Sequence, residues 1–112
     1  MKRGEIYFAD LNPTIGSEIK KKRPVLIVSN DANNRASSTI TVLPITSNVT
    51  KVYPFEVALP GKISGLKKDS KIQCHQIRTI SKLRIKSNSV GKADKTIMRQ
   101  IEAALMLHLD FG

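Results

Sequence analysis

The residues best suited to chemistry lie on a short basic loop and at the end of a threonine-rich strand. Arg23 follows three lysines and precedes Pro24, and Glu18 lies earlier on the same predicted loop. Thr46 and Ser47 stand where another predicted strand ends. A guanidinium can bind two oxygens of an oxyanion, a hydroxyl can donate to one, and a carboxylate can accept a proton. Arginine and threonine are also common in strands, so composition alone favours structural roles.

The segment from 16 to 29 is predicted to position Arg23. Pro24 fixes its own φ and biases Arg23 toward extended backbone, which places Arg23 where a polar loop meets a strand. Val25 to Val28 is apolar and rich in β-branched residues, as is typical of a strand buried on both faces. We therefore expect a rigid strand with a basic loop at its rim.

Further strands and one helix are predicted from the remaining pattern. Pro44 cannot donate to a ladder, so its strand is expected to lie at an edge or to contain a bulge. Asp94 is a good N-cap, and the apolar spacing after it predicts a helix over 95–109. These elements indicate a mainly β fold, a small curved antiparallel sheet partly closed as a barrel with a terminal helix. The other predicted strands cover 4–10, 39–46, 52–59 and 70–80, with one helical turn over 31–35.

The apolar stripe of the predicted helix is broader than one core face requires. Ala103, Met106 and Leu107 widen it. Contact with a second subunit and deep burial in the chain's own core both explain this width.

The chain is strongly basic, with 19 Lys and Arg against 9 Asp and Glu and a net charge of +10. Such a surface favours nucleic acid or an acidic protein as partner, although the charge could serve solubility alone. The 112 residues fit one domain, 1–112. No apolar run approaches the ~20 residues of a membrane span. The N-terminus lacks the apolar stretch of a signal peptide, so a cytoplasmic location is expected.

Metal and cofactor chemistry is not indicated by the sequence. It contains no Gly-rich phosphate loop and no paired-histidine motif, and His75 and His108 fall in different predicted elements. Cys74, the single cysteine, lies on the apolar face of a predicted strand and is expected to be a core residue rather than a nucleophile. We therefore predict no cofactor and no metal ligand.

Six short motifs occur in the order and spacing of one known family. They are Arg3-Gly-Glu-Ile-Tyr7, Gly16-Ser-Glu18, Arg23-Pro-Val-Leu-Ile-Val-Ser29, Pro44-Ile-Thr46, Asp69-Ser70 and Gln76-Ile-Arg78. On these motifs the chain resembles the MazF/PemK-type endoribonuclease toxins, or mRNA interferases. The resemblance implies an SH3-like barrel of about five to seven antiparallel strands with a C-terminal helix. It also implies a homodimer, metal-independent cleavage of single-stranded RNA at short sequences, and a cognate antitoxin whose acidic, disordered tail lies across the RNA groove.

The resemblance assigns roles to individual residues. The family's catalytic arginine falls on Arg23 and its catalytic threonine on Thr46, with Glu18 near the site. His75 departs from the family's commoner acidic or apolar residue, and the lysine run is more basic than usual, which leaves the target sequence open. The predicted RNA-binding residues are Gly16, Ser17, Lys20, Lys21, Lys22, Ser47, Tyr53, Gln76 and Arg78.

Metal-free RNA cleavage proceeds by attack of the 2′-OH on phosphorus and gives a 2′,3′-cyclic phosphate and a 5′-OH end. The reaction needs stabilisation of the phosphorane, a proton acceptor and a proton donor. Arg23 suits stabilisation and proton donation, because a guanidinium stays protonated at neutral pH. Glu18 is the first candidate acceptor and His75 the second, while a salt bridge for Glu18 and a purely structural strand position for His75 are the simpler roles.

Two other function classes fit a small basic fold. One is a non-enzymatic toxin resembling the CcdB gyrase poisons, which act through a protein partner. The other is a nucleic-acid-binding module without catalysis. The occurrence of Arg23-Pro24 together with Pro44-Ile-Thr46 argues against the first.

Overall fold

A computed structural model of the chain describes residues 1–11 and 22–111. Within these residues the chain forms seven strands, three α-helices and two 3-10 turns. The strands are β1 (Glu5–Asp10), β2 (Lys22–Ile27), β3 (Thr39–Thr46), β4 (Glu56–Leu59), β5 (Ser70–Gln73), β6 (Arg78–Ser81) and β7 (Gly91–Lys92). The helices are α1 (Asp31–Ala36), α2 (Gly61–Ser64) and α3 (Lys95–Leu109), and the 3-10 turns are Cys74–Gln76 and Lys82–Arg84. The predicted mainly β fold with a C-terminal helix is confirmed.

The strands form one antiparallel sheet in the order β4-β5-β3-β2-β1-β7, and β6 also pairs with β3. Its two end strands approach each other through α2, which follows β4 and contacts β7. Gly65, with φ 86°, ends α2, and a Cβ at Gly91 would overlap the carbonyl oxygen of Ser64. This close backbone approach needs glycine and brings the ends of the curled sheet together, as expected of a barrel-like fold.

The central strand β2 is buried on both faces, as predicted. Leu26 packs into a core cluster on one face with Leu43 and Ile101, whereas Val25 and Ile27 belong to a second cluster on the other face. Complete burial of each such side chain contributes about 1.5–3 kcal/mol. β2 therefore anchors the residues at its exposed beginning.

Helix α3 begins where the sequence predicts. The Asp94 carboxylate accepts a hydrogen bond of 2.9 Å from the backbone N–H of Ile97, which caps the first turn. Ile101 lies in the first core cluster, but Met106 and Leu107 are exposed. The chain's own core thus does not account for the full apolar stripe. No helix within residues 1–11 and 22–111 is long and apolar enough to cross a membrane.

Two details of the predicted strands are wrong. The strand predicted over 52–59 begins only at Glu56, and the one predicted over 70–80 is divided by the 3-10 turn into β5 and β6. Pro44, predicted at an edge or a bulge, lies in an interior strand at a point where the ladder on one side is interrupted. Proline is tolerated because β3 changes its partner strand at this point. Val42 pairs with β6 and Ile45 pairs with β5, so residue 44 has no ladder partner on the side of β3 that faces these two strands.

Candidate functional site

The strand register sets Arg23 and Thr46 on one face of the sheet, at neighbouring strand ends. Arg23 pairs with Ala9 of β1, and the pairing of β2 with β3 ends at Val25 and Pro44. Arg23 and Thr46 each lie two residues beyond that last pair, so their side chains leave the sheet on the face that Val25 and Pro44 use. Both residues are half-buried, so each combines a fixed backbone with access to solvent.

Thr46 is held on both sides at the end of β3. It pairs with Lys71 of β5, and its Oγ1 accepts a hydrogen bond of 3.2 Å from the backbone N–H of Asn48. Because Oγ1 is the acceptor in that bond, the hydroxyl proton can be donated elsewhere. Ser47 follows on the exposed turn, and Lys22 is exposed at the start of β2.

Arg78 supports the end of β1. Its Nη1 donates to the carbonyl oxygen of Leu11 over 3.2 Å, and Arg84 Nη1 donates to the carbonyl oxygen of Asp10 over 3.0 Å. These two bonds fix the last residues of β1 and the residue that follows it. Arg78 also pairs with Val42, which lies an even number of residues from Thr46 and therefore on the same face. Gln76 lies half-buried in the 3-10 turn just before Arg78.

The remaining predicted site residues of the basic loop fall outside the described part of the chain. They are Gly16, Ser17, Glu18, Lys20 and Lys21.

The connection between β3 and β4 is fixed by a buried ion pair that sequence reasoning missed. Lys71 Nζ lies 3.0 Å from Glu56 Oε1, with side chains 9% and 2% exposed. The same Nζ donates to the carbonyl oxygen of Lys51 over 2.6 Å, and the backbone N–H of Tyr53 donates to Glu56 over 3.0 Å. Burial alone would raise the pKa of Glu56. The hydrogen bonds that Glu56 accepts from the Tyr53 N–H, Lys71 and Gln73 outweigh burial and lower the pKa.

Tyr53 is half exposed on this connection, and its ring stacks on Phe55 with centroids 5.6 Å apart. Phe55 in turn meets His75 edge-on at 4.4 Å, and His75 lies 6.3 Å from His108 of α3. Burial lowers the pKa of His75, so its neutral form is favoured. His75 belongs to a 3-10 turn rather than to a strand, and its described ring contacts are with Phe55 and His108.

An open pocket of about 240 Å³ adjoins the site, and both Arg23 and Ser47 line it. Cys74 lies fully buried in the first core cluster, as predicted, and burial raises the pKa of its thiol to about 12. Across residues 1–11 and 22–111, no group of three or more His, Cys, Asp or Glu side chains is arranged to hold a metal ion.

Known proteins similar to this chain agree with its fold. Residues 2–109 match a family described as PemK-like, MazF-like toxin of type II toxin-antitoxin system. Endoribonuclease MazF9 of Mycobacterium tuberculosis is 44% identical, covering 98% of this chain and 97% of its own length. Endoribonuclease EndoA of Bacillus subtilis is 41% identical, covering 97% and 94% respectively. A mycobacterial endoribonuclease solved in complex with its cognate antitoxin superposes with a TM-score of 0.82 at 26% identity, covering 100% of this chain and 97% of that one.

The sequence motifs, the curled antiparallel sheet with its C-terminal helix and the near-complete family match agree with one another. The chain belongs to the PemK-like, MazF-like toxin family of type II toxin-antitoxin systems.

Proposed function

We propose that this endoribonuclease toxin cuts single-stranded RNA at short sequences, without a metal ion, by attack of the 2′-OH on the adjacent phosphorus. The mechanism is supported by the placement of Arg23 and Thr46 on one face of the sheet, at the ends of the paired strands β2 and β3. A guanidinium and a hydroxyl on the same face at strand ends can both donate to one phosphoryl group. Together they form the proposed electrostatic site for the phosphorane.

The proposed reaction is an internal transesterification. The 2′-oxygen forms a bond to phosphorus, the bond from phosphorus to the 5′-oxygen breaks, and the products are a 2′,3′-cyclic phosphate and a 5′-OH end. Arg23 stabilises the equatorial oxygens and can protonate the leaving oxygen, while Thr46 donates from its hydroxyl. Each such donor contributes about 3 kcal/mol to transition-state binding.

Glu18 is the proposed acceptor of the 2′-OH proton. A carboxylate is basic enough to act in this way when a neighbouring guanidinium holds the phosphate. His75 is the alternative, since burial lowers its pKa and so favours the neutral imidazole. Its described ring contacts, however, are with Phe55 and His108, which favours Glu18.

The RNA is proposed to follow a path along the basic loop and the connection between β3 and β4. Lysines bind backbone phosphates through salt-dependent contacts, whereas an aromatic ring such as that of Tyr53 can stack on an unpaired base. Arg78 acts by holding the end of β1 as well as by adding positive charge. The proposed contacts are Gly16, Ser17, Lys20, Lys21, Lys22, Ser47, Tyr53, Gln76 and Arg78.

A cognate antitoxin with an acidic, disordered segment is the proposed protein partner, in the cytoplasm. The net charge of +10 complements such a segment, and the mycobacterial relative was solved with its own antitoxin. A homodimer is also proposed, because Met106 and Leu107 near the end of α3 and Phe111 just beyond it are exposed apolar side chains. A monomeric mass at micromolar concentration would reject the dimer.

The proposed function is tested by incubating the protein with a long single-stranded RNA in excess chelator and mapping the ends. We expect discrete cuts that carry 2′,3′-cyclic phosphate and 5′-OH ends. Cuts that leave a 3′-OH and a 5′-phosphate would contradict attack by the 2′-OH. Uncut RNA would reject nuclease activity and favour a non-enzymatic toxin that acts through a protein partner.

A further inference from the structure

Residues 84–99 carry five cations and one carboxylate. The cations are Arg84, Lys86, Lys92, Lys95 and Arg99. The carboxylate, Asp94, is engaged inside the protein, because it accepts the backbone N–H of Ile97 as the cap of α3. This stretch therefore concentrates positive charge in a part of the chain that the proposed active site does not use beyond Arg84.

The stretch follows the side of β1 that faces away from β2. Arg84 Nη1 donates to the carbonyl oxygen of Asp10, at the end of β1 that lies beside Arg23. Lys92 pairs with Glu5 at the opposite end of β1. The five-residue step from Asp10 to Glu5 spans about 17 Å in a strand. The cations thus form a line that leads away from the end of the sheet where Arg23 lies.

Lys86 lies between these two ends and is exposed. Ile85 before it is buried in the second core cluster, and the hydroxyl of Ser89 after it donates to the carbonyl oxygen of Ile6 over 3.2 Å. The backbone on both sides of Lys86 is therefore fixed to the sheet. Within residues 84–99, Val90 is the only large apolar side chain that is exposed.

The line ends in an open pocket of about 360 Å³ at the start of α3. Ala93, which directly follows Lys92, is held there because its backbone N–H donates to the carbonyl oxygen of Gly4 over 2.9 Å. The pocket is lined by Arg3, Ala93, Lys95, Met98, Arg99 and Glu102. Lys86, Lys92 and the three cations of this pocket form one basic track.

Arg3 is fixed in the pocket by two contacts. Its Nε donates to the carbonyl oxygen of Val28 over 3.1 Å, and its Nη2 lies 3.1 Å from Glu102 Oε2. The carboxylate in the lining is therefore already paired. The Arg3 side chain keeps 34% of its surface exposed, so the guanidinium can still contact a ligand.

The other four cations of the track have no partner within residues 1–11 and 22–111. The side chains of Lys86, Lys92, Lys95 and Arg99 make no hydrogen bond or ion pair there. Lys95 and Arg99 are four residues apart on α3, a spacing at which like charges destabilise a helix. Lys95 also lies in the first turn, where the helix dipole disfavours a cation. An external anion would give these side chains the partner that the described chain does not supply.

A nucleic-acid backbone fits the track better than an acidic protein segment does. The core of a protein interface is apolar, and the track offers only the side chain of Val90. Phosphates are bound by lysine, arginine, serine and asparagine side chains. Ser87 and Asn88 are exposed between Lys86 and Lys92. The length of the track suits an extended strand rather than a single phosphate.

We propose that the basic track is an exosite for the sugar–phosphate backbone of RNA, several nucleotides from the cut and independent of base sequence. The inference rests on the proposed function, which supplies the RNA strand. The track starts one strand away from Arg23. A long RNA can therefore occupy both sites at once, whereas an oligonucleotide that covers only the cut sequence cannot. The exosite raises affinity for long RNA and leaves the chemical step unchanged.

The experiment compares two RNAs with the same mapped cut, one limited to the cut sequence and one extended on both sides. For wild type, we expect a lower KM on the long RNA and equal single-turnover rates at saturation. Lys86→Gln/Lys92→Gln should raise KM on the long RNA at least about threefold and lower the slope of log KM against log salt by about 1.4, since each single-strand phosphate contact contributes about 0.7. On the short RNA, KM should stay within about twofold of wild type.

The matched control is Arg35→Gln/Lys62→Gln, which removes the same charge from exposed positions on α1 and α2 outside the track. We expect this variant to keep the wild-type ratio of the two KM values. Equal rises of KM on short and long RNA in Lys86→Gln/Lys92→Gln would overturn the exosite. So would an equal loss in the control pair, because net charge alone would then explain the effect.

A second measurement scans the long RNA with the wild-type protein. Single phosphates outside the cut sequence are replaced by neutral methylphosphonates, with a 2′-O-methyl group on the adjoining sugar. We expect KM to rise at positions on one side of the cut, and abasic residues at the same positions to change KM by less than about twofold, because backbone contacts carry no sequence information. Abasic losses as large as the methylphosphonate losses would show that bases are bound and would overturn the proposal.

The exosite and the proposed function fail in different ways. Wild type that cuts both RNAs with equal KM would overturn the exosite and leave the proposed function intact. If Lys86→Gln/Lys92→Gln weakened binding of a hexaglutamate peptide but left KM on the long RNA unchanged, the track would belong to an acidic protein and the proposal would be overturned. Failure of wild type to cut either RNA rejects the proposed function and the exosite with it.

Discussion

Lys71 and Glu56 form a buried ion pair, with 3.0 Å between Nζ and Oε1 and side chains 9% and 2% exposed. The pair joins β5 to β4, and each partner also bonds the backbone of the connection from β3. The connection that carries Tyr53 is therefore fixed from inside the fold. The position of this connection therefore depends on two charged groups that folding has buried.

Removal of either charge should destabilise the fold strongly. We expect Glu56→Gln or Lys71→Met to lower the free energy of unfolding by about 3–5 kcal/mol, because the remaining charge is buried without its partner. Denaturant titration measures this loss. The exposed pair of Arg3 and Glu102, 3.1 Å apart, gives the control, since Glu102→Gln should cost less than about 1 kcal/mol. Equal losses for Glu56→Gln and Glu102→Gln would contradict the structural role of the buried pair.

The same carboxylate predicts a dependence of stability on pH. The folded state lowers the pKa of Glu56 below its ordinary value of 4.5 through hydrogen bonds that outweigh burial. A depressed folded pKa means that the unfolded chain binds more protons in this range, so the contribution is complete above pH 4.5 and is lost as pH falls through the folded pKa. We expect the stability difference between wild type and Glu56→Gln to be constant from pH 7 to 5 and to shrink below 4.5. A difference that grew on acidification would refute this assignment.

The cap of α3 gives a smaller, local prediction. Asp94→Ala removes the acceptor for the Ile97 N–H and should cost about 1 kcal/mol. Asp94→Asn keeps an equally good capping oxygen and should stay within a few tenths of a kcal/mol of wild type. Thermal unfolding of the two variants separates the cap from the charge; a loss for asparagine as large as that for alanine would show that the charge, not the cap, matters.

The sequence alone was sufficient to predict the elements whose position is marked by a local residue pattern. The continuous apolar run from Val25 predicts β2, and Asp94 with the helical spacing after it predicts α3 to the residue. The 3-10 turn at Cys74–Gln76 carries no such signal, because these residues alternate as a strand would. Its cause is tertiary, since the turn is where β3 exchanges one partner strand for the other.

For the candidate site, too, the sequence predicts the residue types but not how the strands bring them together. The residue types of Arg23 and Thr46 indicate anion binding, but their pairing depends on a register between two strands that the sequence does not specify. The family resemblance supplied that pairing, and the register of β1, β2 and β3 gives it a geometric basis. Glu56 and Lys71 were missed because an ion pair across strands becomes visible only when the register is known.

The central claim, that Arg23 and Thr46 act on one phosphoryl group, is tested most directly by a double-mutant cycle on single-turnover RNA cleavage. Thr46→Val keeps the β-branched shape and removes only the hydroxyl. We expect Arg23→Ala and Thr46→Val each to slow cleavage about 10²- to 10³-fold, and the double variant to be slowed by much less than the product of the two, as for groups that act as a unit. A double variant slowed by the full product, or either single variant within about threefold of wild type, would contradict the shared site.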